Sequence, residues 1–139
     1  MKRISLIIAT CILAVGCADN GRPKIALGHV DWLPSAASNI NVVENSSFFA
    51  RVKVYECSIP PEDLRSFAAQ MNWSLSETNN VFVGMRDLLR LKPIRTIDGI
   101  AIDLVPHALF YSRRAPNGAG ITVIYDLETE RLYVNSSSR

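Results

Sequence analysis

The sequence predicts an α+β fold in which an antiparallel sheet of four to six strands carries one or two helices on one face. Residues 48–57 alternate apolar and polar side chains with a period of two, which is typical of a strand. From Leu64 to Met71, apolar residues recur at helical spacing. The last third of the chain holds short apolar runs separated by turn residues, which indicates antiparallel neighbours joined by short loops.

The elements before the helix follow from local composition. Residues 24–33 predict a first strand that ends at Pro34, and residues 33–40 predict a turn or a single helical turn. The strand over residues 48–57 comes next. Its apolar face, which should turn toward the core, contains Phe48, Ala50, Val52 and Val54.

The first helix begins at the prolines that follow this strand. Pro60 and Pro61 suit a first helical turn, and the acidic residues after them favour the positive end of the helix dipole. The apolar stripe extends the helix to about residue 72. We expect this stripe to pack on the apolar face of residues 48–57, with Val52 and Phe67 in contact.

The segment over residues 80–92 supports two interpretations. In one, Asn80 caps a second helix, and in the other, residues 81–84 form a short strand. The inward face of that second helix would contain Val81, Met85, Leu88 and Leu89. Pro93 ends either element.

The remaining strands are predicted to be antiparallel neighbours. Residues 100–105 and 107–113 are candidate strands separated by Pro106. Residues 120–126 and 131–135 form a hairpin, because the four residues between them make a connection of hairpin length.

The first sixteen residues have the layout of a secretory signal peptide. Lys2 and Arg3 provide a positive start. The uncharged apolar run over residues 4–15 is shorter than the ~20 residues that a membrane-spanning helix needs. Cleavage is therefore expected.

The cleavage region resembles the lipobox of bacterial lipoproteins, in which a small residue precedes a cysteine that becomes acylated. Gly16 and Cys17 match this pattern, whereas Ala14 occupies the place where the motif usually has leucine. The resemblance implies that residues 1–16 are removed and that Cys17 carries lipid. The alternative is an ordinary signal peptide whose cysteine is incidental.

The same resemblance sets the expected organisation and location. Residues 17–23 are the lipidated cysteine and a short tether, residues 24–135 a single domain, and residues 136–139 a disordered tail. Ala18, rather than aspartate, follows the cysteine, which implies sorting to the outer membrane, facing the periplasm. The order of a Leu33-Pro34 step, a strand and a proline-led helix start is also similar to that of small bacterial membrane lipoproteins over about half of the chain, and it implies no activity.

Charge and cysteine content indicate which classes of partner to expect. Loss of Lys2 and Arg3 leaves thirteen basic and thirteen acidic residues, so a neutral domain gives no electrostatic reason to expect nucleic acid. The membrane, through lipid on Cys17, and an envelope protein are the expected partners. Cys57 would be the one thiol left unacylated, and we expect it to be buried, the alternatives being a reactive thiol or an intermolecular disulfide.

Few residues in the sequence suggest catalysis or metal binding. His29 and Asp31 are two positions apart and could share a metal, although two ligands do not make a site, and a surface pair is favoured. His107 is expected to be structural. Serine-nucleophile and phosphate-loop motifs are absent from the sequence, so we predict no catalytic residue, cofactor or metal.

Two groups of basic residues form a candidate interaction surface. They are Arg86, Arg90, Lys92 and Arg95 in the middle of the chain, and Arg113 and Arg114 at the start of the glycine-containing segment over residues 113–120. The first group could contact anionic headgroups, and the second, with its glycines, could hold an anion. Solvated charge at a helix end is favoured for the first group, and a flexible hairpin loop for the second.

Aromatic residues give a further candidate surface, although aromatics in a small domain usually fill the core. Phe48, Phe49 and Trp73 are the residues concerned.

These features predict a membrane-anchored envelope lipoprotein that acts as a non-catalytic binding or assembly module. One alternative is a protein inhibitor of a periplasmic hydrolase, with residues 113–120 as the inserted loop. Another is a small enzyme that uses His29 or His107.

Overall fold

The computed structural model describes residues 21–139, so the predicted signal peptide and the Cys17 lipidation site lie outside the described residues. The described elements are β1 (Lys24–Leu27), β2 (Ser38–Ser46), β3 (Arg51–Ser58), α1 (Pro61–Gln70), β4 (Ser76–Phe82), a 3₁₀ helix (Arg86–Leu89), β5 (Arg95–Ile97), β6 (Ile100–Ile102), β7 (Leu104–Arg114), β8 (Gly120–Asp126) and β9 (Arg131–Ser138). The predicted α+β class is confirmed. In this part of the chain, no helix is long and apolar enough to cross a membrane.

Seven of the strands form one sheet in the order β1-β2-β3-β9-β8-β7-β4. Each neighbouring pair in it is antiparallel. Strands β5 and β6 pair separately as a two-stranded ribbon. The sheet is therefore larger than the four to six strands predicted.

The strands before the helix differ from prediction. Strand β1 ends at Leu27 rather than at residue 33, and β2 begins within the segment predicted as a turn. In β2, the polar residues Asn41 and Glu44 flank Val42 and Val43, so the sequence shows no period of two. Pairing with β3 along residues 41–46 holds this segment extended despite that pattern.

Strand β3 is central, and both of its faces are covered. Val54, Tyr55, Glu56 and Cys57 are all buried. Tyr55 and Cys57 belong to the cluster that contains Phe67 of α1, whereas Val54 belongs to another cluster, against which Val52 packs. The predicted contact between Val52 and Phe67 is therefore wrong, because the helix covers the opposite face of the strand.

Helix α1 matches its prediction closely, beginning at Pro61 and ending at Gln70. Its Phe67 ring meets the Trp73 ring edge to face, with 5.2 Å between centroids. The Tyr125 hydroxyl, on the sheet, donates a hydrogen bond of 2.9 Å to the Ile59 carbonyl just before the helix. These contacts fix the helix on one face of the sheet, which we call the helix face.

The middle segment follows the strand interpretation. Residues 81 and 82 end β4, and the chain then makes only the four-residue 3₁₀ helix. Met85 and Arg90 bound this helix with φ angles of 64° and 54°. Left-handed residues on both sides prevent its extension into the predicted second α-helix.

Strand β7 runs through Pro106, at which the sequence predicts a break. Its neighbour β4 pairs Asn79 with His107 and Val81 with Val105, and Asn80 between them has a φ of 55°. This local irregularity lies opposite the proline, which has no N–H to donate. The sheet therefore accommodates Pro106 without ending the strand.

The end of the chain is more ordered than predicted. The β8–β9 hairpin is confirmed, and the Asp126 carboxylate accepts a hydrogen bond of 2.9 Å from the Glu128 N–H in its turn. Ser136, Ser137 and Ser138 continue β9 and pair with β3. The prediction of a frayed tail is wrong for these three residues, because β3 and β8 provide backbone partners on both sides.

Candidate binding site

The face of the sheet opposite α1 is covered by a single segment, residues 83–94, which we call the crossing segment. It leaves β4 at one edge of the sheet and brings Leu89 onto Val43 and Val54, on β2 and β3. On the way it places Arg86 against the middle of the sheet, where the side chain is buried, with 8% exposed.

Arg86 meets a carboxylate that the sheet buries almost completely, since Glu56 is only 2% exposed. The Arg86 Nε donates to Glu56 Oε2 at 2.7 Å, and Nη2 donates to Oε1 at 3.3 Å. Arg131 Nη2 donates to the same Oε1 at 2.9 Å, and Asn41 Nδ2 donates to it at 3.1 Å. The crossing segment therefore engages both carboxylate oxygens, and the neighbouring strands engage Oε1.

On its other side, the Arg86 guanidinium is hydrogen-bonded to the end of the crossing segment. Its Nη1 donates to the Lys92 carbonyl and, at 3.2 Å, to Asp103 Oδ1. The same Asp103 oxygen accepts a hydrogen bond of 3.1 Å from the Ile94 N–H. Glu56, Asp103, Arg86 and Arg131, which we call the charge cluster, carry two charges of each sign and are neutral together.

Burial and pairing act in opposite directions on Arg86. Burial lowers the pKa of Arg86. The hydrogen bond and charge of Glu56 and the charge of Asp103 together raise it by more, so the pKa lies above its ordinary value. Arg86 is therefore a permanent cation in the fold. Its Cζ also lies 5.9 Å from the centroid of the Tyr133 ring.

A cavity of about 240 Å³ adjoins the charge cluster, between the crossing segment and the sheet. Its apolar lining includes Phe82, Val83, Leu89, Ile124 and Tyr133. Its polar lining includes Arg86, Arg114, Thr122 and Asn135. Phe82 is 69% exposed at its edge, so the cavity combines a preformed apolar space with an exposed aromatic side chain.

A wider depression of about 450 Å³ lies on the other side of Arg86, lined by Glu56, Lys92, Arg131 and Tyr133 among others. Arg86 and Tyr133 thus line both spaces. The charge cluster therefore lies between the cavity and the open depression.

The structure separates the basic residues that the sequence groups together. Arg86 is buried, so its prediction as part of an exposed surface is wrong: the carboxylate of Glu56 compensates its charge inside the fold. Arg90 and Lys92 are exposed, and Arg95 forms an ion pair of 2.7 Å with Glu128. Arg113 and Arg114 are exposed at the end of β7.

The loop between β7 and β8 is compact. The Ala115 N–H donates to the Ala119 carbonyl at 2.7 Å, and the Gly118 N–H donates to the Ala115 carbonyl at 2.9 Å. Gly118 has a φ of 83°, which suits glycine. The segment over residues 113–120 is therefore a tight hairpin connection.

The two histidines lie on the surface. His29 Nε2 is 3.2 Å from Asp31 Oδ1, and both side chains are exposed. His107 Nδ1 is 2.9 Å from Asn79 Oδ1, and its Nε2 is 3.9 Å from Glu128. Among residues 21–139, no group of three His, Cys, Asp or Glu side chains is arranged to hold a metal.

Cys57 is fully buried and free, as predicted. Burial raises the pKa of its thiol to about 12. The thiol therefore stays protonated at neutral pH, and it packs as a small apolar side chain in the core under α1.

Sequence reasoning missed Glu56, Arg131 and Tyr133 as members of a site. The available signal was a carboxylate directly beside Cys57 in a strand that is otherwise strongly apolar, because a central strand rarely buries a charge without a partner. Comparisons of the chain with family models, with curated proteins and with solved structures give no match.

Proposed function

We propose that this chain is a lipid-anchored protein of the bacterial envelope whose domain is a non-catalytic binding module. The observation that carries the binding role is the preformed cavity beside Arg86, with exposed Phe82 at its edge. Its walls are sheet strands and a crossing segment fixed by the charge cluster. A preformed site of this kind costs little ordering on binding.

The size of the cavity favours a protein partner. At about 240 Å³ it is smaller than the roughly 300–1,000 Å³ of sites that enclose small ligands. It suits one or two apolar side chains of a partner protein, which commonly fill pockets at the centre of an interface. Thr122 and Asn135 provide hydrogen-bonding groups for the partner backbone.

The anchor is supported by the sequence around Cys17. Gly21 follows it by four residues, so the tether reaches at most about 14 Å from Cys17 to the first described residue. A protein held this close to a bilayer meets partners within or beside the same membrane.

The binding role is tested with a photo-crosslinking amino acid at position 82 in the producing bacterium. We expect discrete protein adducts from this position and none from position 65, which is exposed on α1. Gly84→Trp should lower the adduct yield, because Gly84 lines the cavity and a Cβ atom added there meets no atom within 4 Å. Gly28→Trp is the matched control, since Gly28 is equally unobstructed and does not line the cavity. Adducts at position 82 that survive Gly84→Trp would contradict the proposal.

The anchor is tested by Cys17→Ser. Several acyl chains hold a protein far more strongly than one, at roughly 0.8 kcal/mol per buried CH₂, so the native protein should stay with membranes through a high-salt wash. The variant should accumulate as an unprocessed precursor or as a soluble product. A cleaved variant that still fractionates with membranes would contradict lipidation at Cys17.

A further inference from the structure

The β2–β3 hairpin ends in two aromatic residues that the domain leaves in water. Its four-residue loop is closed by a hydrogen bond of 2.7 Å from the Ser47 N–H to the Ala50 carbonyl. Phe48 and Phe49 lie between these residues and are 103% and 87% exposed. Two adjacent side chains of this size, fully exposed, commonly mark a surface that contacts a partner or a membrane.

The chain enters the domain beside this loop. The Gly21 N–H donates a hydrogen bond of 2.9 Å to the carbonyl of Glu44, two residues before the end of β2. We call this end of the sheet the tether end. An acyl group on Cys17, within about 14 Å of Gly21, would bring lipid headgroups to the same end as Phe48 and Phe49.

The tether end is also rich in exposed arginines. Arg51 pairs with Ser138 at the end of β9, and the β7–β8 loop lies at the same end, because Gly120 pairs with Ser137 and with Arg114. Apart from Arg51, the exposed arginines at this end are Arg22, which follows Gly21, and Arg113, Arg114 and Arg139. Glu44 lies at this end as well, but it is ion-paired with Arg51 at 3.1 Å.

Acidic residues gather at the other end of the sheet, which we call the distal end. The β8–β9 turn contains Glu130 and Glu128, of which Glu128 is ion-paired with Arg95 at 2.7 Å. The Ile59 N–H donates to the Glu130 carbonyl at 3.1 Å, which places the start of α1 beside this turn. Glu62 and Asp63 are in the first turn of that helix. A domain without net charge is thus divided along its strands into a basic end and an acidic end.

We infer that the tether end is a membrane-contacting surface, on which Phe48 and Phe49 insert among the headgroups of an anionic bilayer while the four arginines contact phosphate groups. The inference rests on the proposed lipid anchor, which places this end at the bilayer. Apolar insertion and attraction to anionic lipid strengthen membrane binding together. The acidic distal end then points away from the negative surface.

The test uses the processed protein with Ser47→Cys carrying an environment-sensitive fluorophore, reconstituted with vesicles of phosphatidylethanolamine and phosphatidylglycerol that contain brominated lipid. We expect the bromines to quench the label at position 47. A label at Thr129→Cys, in the turn at the distal end, should not be quenched. Buried Cys57 should not take up the label.

The double variant Phe48→Ser, Phe49→Ser should abolish most of the quenching at position 47, whereas Leu127→Ser, at an exposed apolar residue in the turn of the distal end, should not. For protein without acyl chains, the double variant should weaken affinity for these vesicles about tenfold or more. Replacing phosphatidylglycerol by neutral lipid should weaken it about fivefold for each arginine in contact.

Sedimentation of the Phe48→Ser, Phe49→Ser variant with neutral vesicles in high salt separates the two proposals, because without the aromatic pair and with the arginines screened it depends on the acyl anchor alone. Sedimentation of the variant, with no quenching at position 47 when both phenylalanines are present, would overturn the inference and leave the anchor standing. No sedimentation of the variant, with quenching at high concentrations of anionic vesicles when both phenylalanines are present, would support the inference and overturn the anchor. Absence of both sedimentation and quenching would overturn the anchor and the inference. Self-association that the double variant abolishes, with no quenching, would overturn the inference and assign the aromatic loop to contact with a second copy of the chain.

Discussion

Glu56→Ala is expected to lower the free energy of unfolding by about 3–5 kcal/mol, which is the usual cost of removing one partner of a buried ion pair. The substitution leaves the Arg86 guanidinium buried with only the partly exposed Asp103 as a counter-charge. It also removes the acceptor for Arg131 and Asn41. Urea unfolding of the purified protein, followed by intrinsic fluorescence, measures the change.

Glu44→Ala is the matched control. Glu44 is also a strand glutamate with two basic partners, Arg51 at 3.1 Å and Lys53 at 3.8 Å, but its side chain is 39% exposed. Exposed ion pairs of this kind contribute about 0–1 kcal/mol. Similar losses from the two variants would show that burial of Glu56 does not have the energetic role assigned to it.

Phe67→Ala should cost about 3–5 kcal/mol of stability, because it empties the space between α1 and the sheet. Phe67 is buried and contacts the Trp73 ring, and it shares its cluster with Tyr55 and Tyr125. Thermal unfolding monitored by circular dichroism should show a much lower midpoint than for the native protein.

Phe48→Ala makes the same chemical change at a fully exposed position. Its stability should stay within about 0.5 kcal/mol of the native protein. A loss comparable with that of Phe67→Ala would mean that the β2–β3 loop packs against the domain, which would also remove the aromatic pair as a membrane-contacting element.

The parts of the fold that the sequence predicts are those that depend on local signals. Helix α1 follows from its prolines and its apolar stripe, and the β8–β9 hairpin follows from two apolar runs with a short connection. The buried Cys57 follows from its place in an apolar strand. Each of these depends on residues close together in the chain.

The parts that the sequence does not predict depend on distant partners. An alternating pattern identifies β3 as a strand, but it cannot show that both faces are covered, because α1 and the crossing segment lie on opposite sides. Arg86 resembles a solvated surface charge until Glu56, thirty residues earlier, is seen to accept its hydrogen bonds. Strand β2 is fixed by pairing with β3 rather than by its own pattern.

At the aromatic pair, the sequence pattern extends a strand further than the structure does. Phe48 and Ala50 extend the apolar alternation of β3, so the sequence assigns residues 48–50 to the strand. Strand β3 begins only at Arg51, and Phe48 and Phe49 lie in the loop. A period of two cannot distinguish the last residues of a strand from the first residues of its turn.

The way the crossing segment is fastened determines how the domain can move. Residues 83–94 belong to no strand of the sheet. The segment is held by Arg86, by the N–H groups of Val83 and Ile94, which donate to Asp103, and by the apolar contacts of Val83 and Leu89. When such a segment detaches, water replaces the lost ionic contacts, so local opening costs less free energy than separating two paired strands. The crossing segment is therefore the natural unit of local unfolding in this domain, and its opening enlarges the space beside Arg86 while the seven-stranded sheet stays intact.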